Sequence, residues 1–215
     1  MADLPSNGTT NETSSRANAI PNWLKGSFGV VVAALATMWF VEALDTAILD
    51  DRLQGNGIHP RSLDGIDGVL WSPFLHSGFP HLISNSIPFV VLSGLMLTGG
   101  LKRYVRASAI IIVLGGLLVW ALAIGSNENH IGASGWVFGM LGFLIAAAVF
   151  DKKALTIAVG LVALLFYGGT LLVGFVPTPG VSWEGHLFGF LAGIVGARVL
   201  STKRSKVAID PGGLG

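Results

Sequence analysis

Six stretches of about twenty mostly apolar residues divide this chain, and no other feature constrains its fold as strongly. They cover residues 27–49, 82–101, 108–125, 132–150, 154–175 and 183–200. No water reaches the middle of a bilayer to bond a bare peptide group, so a segment that crosses it must bond its own backbone, as a helix does. The expectation is an all-α membrane protein with six transmembrane helices. Composition agrees: 52% of the 215 residues are hydrophobic, 12% are charged and the mean hydropathy is +0.69, too apolar for a soluble domain of this length. The lipid bilayer is therefore an expected partner and nucleic acid is not. The chain has no cysteine, which excludes disulfides and thiolate metal sites.

The first two dozen residues are rich in Ser, Thr, Asn and Gly and lack the apolar core of a signal peptide. Residues 1–24 read as a disordered tail, residues 25–201 as the membrane domain and residues 202–215 as a short basic tail. Orientation follows from the basic residues. Eleven of the thirteen Lys and Arg precede the first segment, follow the second and fourth, or end the chain, leaving only Arg52 and Arg61 for the other loops. By the positive-inside rule both termini are cytoplasmic, as in a multi-pass protein of a prokaryotic cell membrane. The second, fourth and sixth segments then start at the outer face.

The long outer loop after the first segment carries Trp71-Ser72-Pro73-Phe74-Leu75, a patch suited to the membrane interface or to a loop anchored by one tryptophan. Glu42 and Asp45, late in the first segment, read as carboxylates marking its outer end. Other polar residues in the spans are few, and each is costly to bury. His81 and Asn85 open the second segment, Ser134 the fourth and His186 the sixth. All three segments start at the same face, so these side chains share one shallow depth. The spacing of His81 and Asn85 puts both on one side of a helix. His76 lies beyond Pro80, outside that helix. Each histidine alone would serve as an interfacial residue bonding a neighbour, but their convergence on one level favours a site.

Glycines supply the means of convergence. Gly132, Gly135, Gly139 and Gly142 recur at intervals of three, four and three, and Gly185, Gly189 and Gly193 at four and four. Such stripes let two helix backbones approach closely in a membrane, which would bring Ser134 to His186. A serine hydroxyl needs a base within hydrogen-bond reach, and histidine is the usual one. Acyl transfer also needs donors for the developing oxyanion. His81, Asn85 and the backbone N–H of Ser134 are available. Glu184 stands two residues before His186 and points elsewhere on the helix, so a dyad is expected rather than a triad.

At these residues the sequence resembles the rhomboid family of intramembrane serine proteases. The motifs that carry the resemblance are His76-x4-His81-x3-Asn85, Gly132-x-Ser134-Gly135 and Gly185-His186-x2-Gly189-x3-Gly193, in the family's order. The resemblance implies a six-helix rhomboid-like bundle with Ser134 as nucleophile, His186 as general base, and His81 and Asn85 as oxyanion donors. It implies a structural role for His76 and a place for Phe138, one turn after the serine, against the catalytic histidine. Transmembrane protein substrates would be the partners, and no cofactor is expected. The stretch after the second segment lacks the glutamate of some members. The first loop has His59-Pro60-Arg61 where some relatives have Trp-Arg. Three other readings compete: an ion or proton path through the polar cluster, an inactive relative that binds without cutting, and a zinc site. A transporter would show internal repeats, absent here. An inactive relative would lack the serine or the base, and a zinc protease would carry HExxH.

Overall fold

The computed structural model describes residues 22–124 and 129–201. Most of the tail expected at 1–24, and that at 202–215, lie outside the described residues. Among the described residues seven α-helices follow one another: α1 Asn22–Ile48, α2 Gly68–Trp71, α3 Phe79–Leu97, α4 Leu101–Leu122, α5 Ser134–Asp151, α6 Ala154–Gly174 and α7 Trp183–Val199. Among the described residues there is no strand, only isolated bridges at Ile58–His130 and Thr178–Val181. Five helices, α1 and α3 to α6, are long and apolar enough to cross a membrane. The sixth long helix is α7, whose 17 residues rise about 25 Å. The protein is an all-α membrane bundle, as the hydropathy pattern requires.

α5 is its axis. Two-thirds of α5 is enclosed by other helices (67%), against 22% for α1 and α6. A helix that is apolar on every side finds its lowest energy among neighbours. By contrast, α6 turns Leu165, Phe166 and Leu172 outward, each nearly three-quarters exposed or more, as a face against lipid tails would. Along the glycine stripes the α5–α7 contact is made of backbone. A Cβ at Gly189 would run into the Gly135 carbonyl, and one at Gly193 into that of Gly139. From the other side, a Cβ at Gly139 would stand 3.0 Å from the Gly189 carbonyl, and one at Gly135 3.2 Å from that of Gly185. The two glycine stripes interlock in the way their spacing demands.

The largest departure from the hydropathy boundaries is at the start of α4. α4 begins at Leu101 rather than near residue 108, so Lys102, Arg103 and Arg106 lie in its first turns and not in a loop. Only Thr98 to Gly100 link α3 to α4, with Gly100 at φ +93°. The early start is stabilised across the bundle. Arg103 reaches Asp151 at the far end of α5, 2.6 Å away, and its guanidinium lies 5.0 Å from the Phe143 ring centre. An apolar-run rule ends a helix at charges; an ion pair and a long aliphatic stem let it continue.

The loop between α1 and α3 folds back on the ends of α4 and α5. Arg61 donates its backbone N–H to the Trp120 carbonyl (2.8 Å) and its guanidinium to the carbonyls of Ala123 and Ile124 (2.5 and 3.4 Å), closing the C-terminus of α4. Val69 is buried under Gly116, whereas Leu70 and Trp71 are more than half exposed. That split fits an element lying in the membrane interface. Glu42 and Asp45 are buried, and the Asp45 carboxylate accepts the N–H of Leu53 (2.8 Å), securing the end of α1.

Candidate active site

Three helix starts build the site. α3 starts where Gly78 takes φ +98° and Pro80 occupies the first turn, where a missing N–H costs nothing. His81 and Asn85 follow on one face of α3. The Ser77 backbone N–H donates to His81 Nδ1 (3.5 Å) and the Ser77 hydroxyl lies 3.1 Å from it. A backbone N–H can only donate, so Nδ1 is the acceptor and the ring proton resides on Nε2. Asn85 is 6% exposed, and its Nδ2 is buried with no hydrogen-bond partner among the described residues. Both groups flank Gly132. A Cβ there would stand 2.7 Å from His81 Nε2 and 3.6 Å from Asn85 Nδ2, and the φ of +109° independently requires glycine.

Ser134 is the first residue of α5, so the helix itself makes no use of its backbone N–H. The two residues before it are held from behind. Gly132 N–H donates to the Ser72 carbonyl (2.9 Å), and Ala133 N–H donates to His76 Nε2 (3.3 Å). His76 is buried at 1% exposure with its ring edge-on to His81. Burial, helped by the nearby His81, pushes His76 down to about 4, so it stays neutral and keeps a lone pair for Ala133. His76 does not line the cavity. It supports the turn that presents Ser134.

α7 starts at Ser182, whose hydroxyl accepts the Gly185 N–H (3.3 Å) and whose carbonyl accepts the His186 N–H (3.2 Å). His186 Nδ1 lies 2.8 Å from the Gly174 carbonyl at the end of α6. A carbonyl only accepts, so Nδ1 carries the proton and Nε2 carries the free lone pair. Phe138 stacks on the other side of the ring, with centroids 4.1 Å apart. Glycine is required at 174 because a Cβ would run into the Phe138 ring. No sequence motif points to Gly174; its role comes from where α6 ends in space. The orienting partner of His186 is this carbonyl and not Glu184.

Ser134, His186, His81, Asn85 and Phe138 all line one cavity of about 1140 Å³, which Tyr167 and Thr170 of α6 also line. Among the described residues no hydrogen bond engages the Ser134 hydroxyl, so serine and histidine share the cavity without being bonded to each other. Gly135 and Gly189 lie just beneath, in the backbone contact described above. Among the described residues no three His, Asp or Glu side chains converge as a metal site would need. The arrangement can therefore offer a hydroxyl, a neutral imidazole with an open lone pair, and two N–H donors to one bound carbonyl.

Comparison with known proteins gives the family. The model of the Rhomboid domain matches residues 67–203. An uncharacterized protein of Mycobacterium tuberculosis is 42% identical over 205 residues, covering 92% of this chain and 82% of its own length. An uncharacterized protein of Mycobacterium leprae is 33% identical over 214 residues, 96% of this chain and 84% of the relative. RHOMBOID-like protein 5 of Arabidopsis thaliana is 30% identical over 146 residues, 64% of this chain and 45% of the plant protein. With its cavity, its motifs and these relatives taken together, the chain belongs to the rhomboid family of multi-pass membrane proteins.

Proposed function

We propose that this protein is an intramembrane serine endopeptidase that cuts transmembrane segments of other membrane proteins with a Ser134–His186 dyad. The observation that carries the reading is the 2.8 Å contact between His186 Nδ1 and the Gly174 carbonyl, which sets the tautomer. The Nδ1–H of His186 is committed to the Gly174 carbonyl, which leaves Nε2 basic in the cavity that Ser134 lines. Ser134 Oγ attacks the scissile carbonyl as its proton passes to Nε2. The oxyanion is received by Asn85 Nδ2, His81 Nε2 and the Ser134 N–H, of which Asn85 is unpartnered and so costs no competing bond. His186 then hands its proton to the leaving amine, and an acyl-enzyme remains. Water attacks that ester with His186 as base, and the proton returns to Ser134.

A helical substrate hides its carbonyls in i to i−4 bonds, so the segment that is cut must unwind locally. Helix-breaking and small residues are expected at the cut. With the positive charges inside, both termini are cytoplasmic and the reaction takes place near the outer face. The test is cleavage of a single-span substrate by the purified protein in detergent and in liposomes. The parent should yield two fragments, while Ser134→Ala and His186→Ala should yield none although both still unfold cooperatively on heating. Cutting by S134A would overturn the assignment.

A further inference from the structure

His130 stands four residues before Ser134, and Ser182 stands four residues before His186. Their side chains meet, His130 Nδ1 lying 2.5 Å from Ser182 Oγ. We propose that this contact is a clasp that sets the position of the base relative to the nucleophile, and that His130 and Ser182 are positioning residues of the reaction. The proposal rests on the proteolytic reading above.

Each half of the clasp is anchored to one reacting residue. On the serine side, the backbone of His130 is paired in both directions with Ile58, N–H to carbonyl at 3.0 Å each way. Two residues on, Gly132 donates to the Ser72 carbonyl, so the approach to Ser134 is held at two levels by the first loop. On the histidine side, Ser182 accepts twice from the first turn of α7: its carbonyl from His186 N–H and its hydroxyl from Gly185 N–H. A hydroxyl has one donor and two acceptor sites. After Gly185 it keeps a proton and a lone pair, either of which can meet the His130 ring nitrogen.

The glycine stripes show where such a clasp acts. Gly135 and Gly139 against Gly189 and Gly193 fix how near α5 and α7 come, since a Cβ would collide with backbone. Along the stripes the contact is backbone to backbone, and side chains that tie the two helix starts include the Phe138–His186 stack and the His130–Ser182 contact. A displacement of 1 Å between reacting groups can cost about a hundredfold in rate. The clasp ties the two helix starts by side chains, one turn above the first glycine contact, at the level of the chemistry. His130 and Ser182 also line both the large cavity and a small pocket of about 40 Å³ behind Ser134, so they form part of the wall that carries the serine.

The experiment is steady-state cleavage by parent, His130→Leu, His130→Asn, Ser182→Ala and the H130L/S182A double variant, with thermal unfolding of each. Asparagine offers an amide near the place of Nδ1, so it retains the contact. H130L should lose about tenfold in kcat with KM unchanged, and H130N should stay within about threefold of the parent. In the S182A background, H130L should add no further loss. Parental kcat in H130L, an H130N as slow as H130L, or losses that multiply in the double variant would overturn the clasp. Nitrogen-15 NMR of the labelled His130 ring reads the contact without activity: S182A should shift its signals, and unchanged signals would overturn the clasp even if H130L fails to fold. A parent protein that cuts nothing would sink the proteolytic reading and leave the ring signals to decide the clasp.

Discussion

The ring of Phe138 lies flat on the imidazole of His186, with centroids 4.1 Å apart and planes 3° from parallel. Phe138 is 4% exposed and also abuts Phe175 at the end of α6. One face of the imidazole is thus fixed by a helix neighbour of Ser134, and its edge is fixed by Gly174. Phe138→Ala would remove the first restraint and leave a cavity, costing about 3–5 kcal/mol of stability. Phe138→Leu keeps most of the volume but no flat face. It is expected to stay near the parent in thermal unfolding while kcat falls several-fold. Equal kcat in F138L and parent would mean that the stack serves packing alone.

Gly189 and Gly169 give opposite expectations for the same substitution. A Cβ at Gly189 runs into the Gly135 carbonyl, whereas at Gly169 it meets nothing within 4 Å. Gly189→Ala should force α5 and α7 apart, lowering the unfolding midpoint and abolishing turnover. Gly169→Ala should leave both unchanged or raise stability slightly, by up to about 1 kcal/mol. A G189A protein with parental stability would contradict the backbone contact.

Asn85 separates function from stability. A buried amide donor without a partner costs about 1–3 kcal/mol, so its retention in a fold calls for a reason. Asn85→Ala is expected to lower kcat by about 10²–10³ with little change in KM, while thermal stability holds or rises. Loss of stability with unchanged turnover would remove Asn85 from the oxyanion site.

His76 gives the fold a defined acid sensitivity. Burial holds its folded-state value at about 4, against about 6.5 in an unfolded chain. Between those values the unfolded chain binds a proton that the folded one refuses. Its contribution is therefore complete above about pH 6.5 and is lost as pH falls toward 4, on the order of 3 kcal/mol in all. His76→Gln keeps an acceptor for the Ala133 N–H and cannot titrate. The unfolding midpoint of H76Q should fall less steeply from pH 7 to pH 4 than that of the parent. Parallel curves would show that His76 is not the group responsible.

Periodic interactions are the ones a sequence discloses. The six spans and the glycine stripes repeat along the chain, so spacing alone makes their partners legible: Gly189 against Gly135, and His81 with Asn85 on one face. The start of α4 departs from the hydropathy pattern because charges end an apolar run, yet Arg103 is paired with Asp151 from another helix. His130 and Gly174 carry no sequence signal for the same reason: each acts through a residue distant in the chain. Ser182 bears the local pattern of a helix cap, which discloses nothing of its contact with His130. The Gly174 carbonyl is a backbone group, which no residue type can announce.

The central claim is that Ser134 is a nucleophile activated by His186, and the location of a covalent adduct tests it most directly. Parent and H186A proteins, treated with a fluorophosphonate in detergent, would be digested and every serine-bearing peptide weighed. A single adduct on the Ser134 peptide of the parent, absent or much slower in H186A, is the expected result. An adduct on another serine, or cleavage activity that survives complete modification of Ser134, would contradict it.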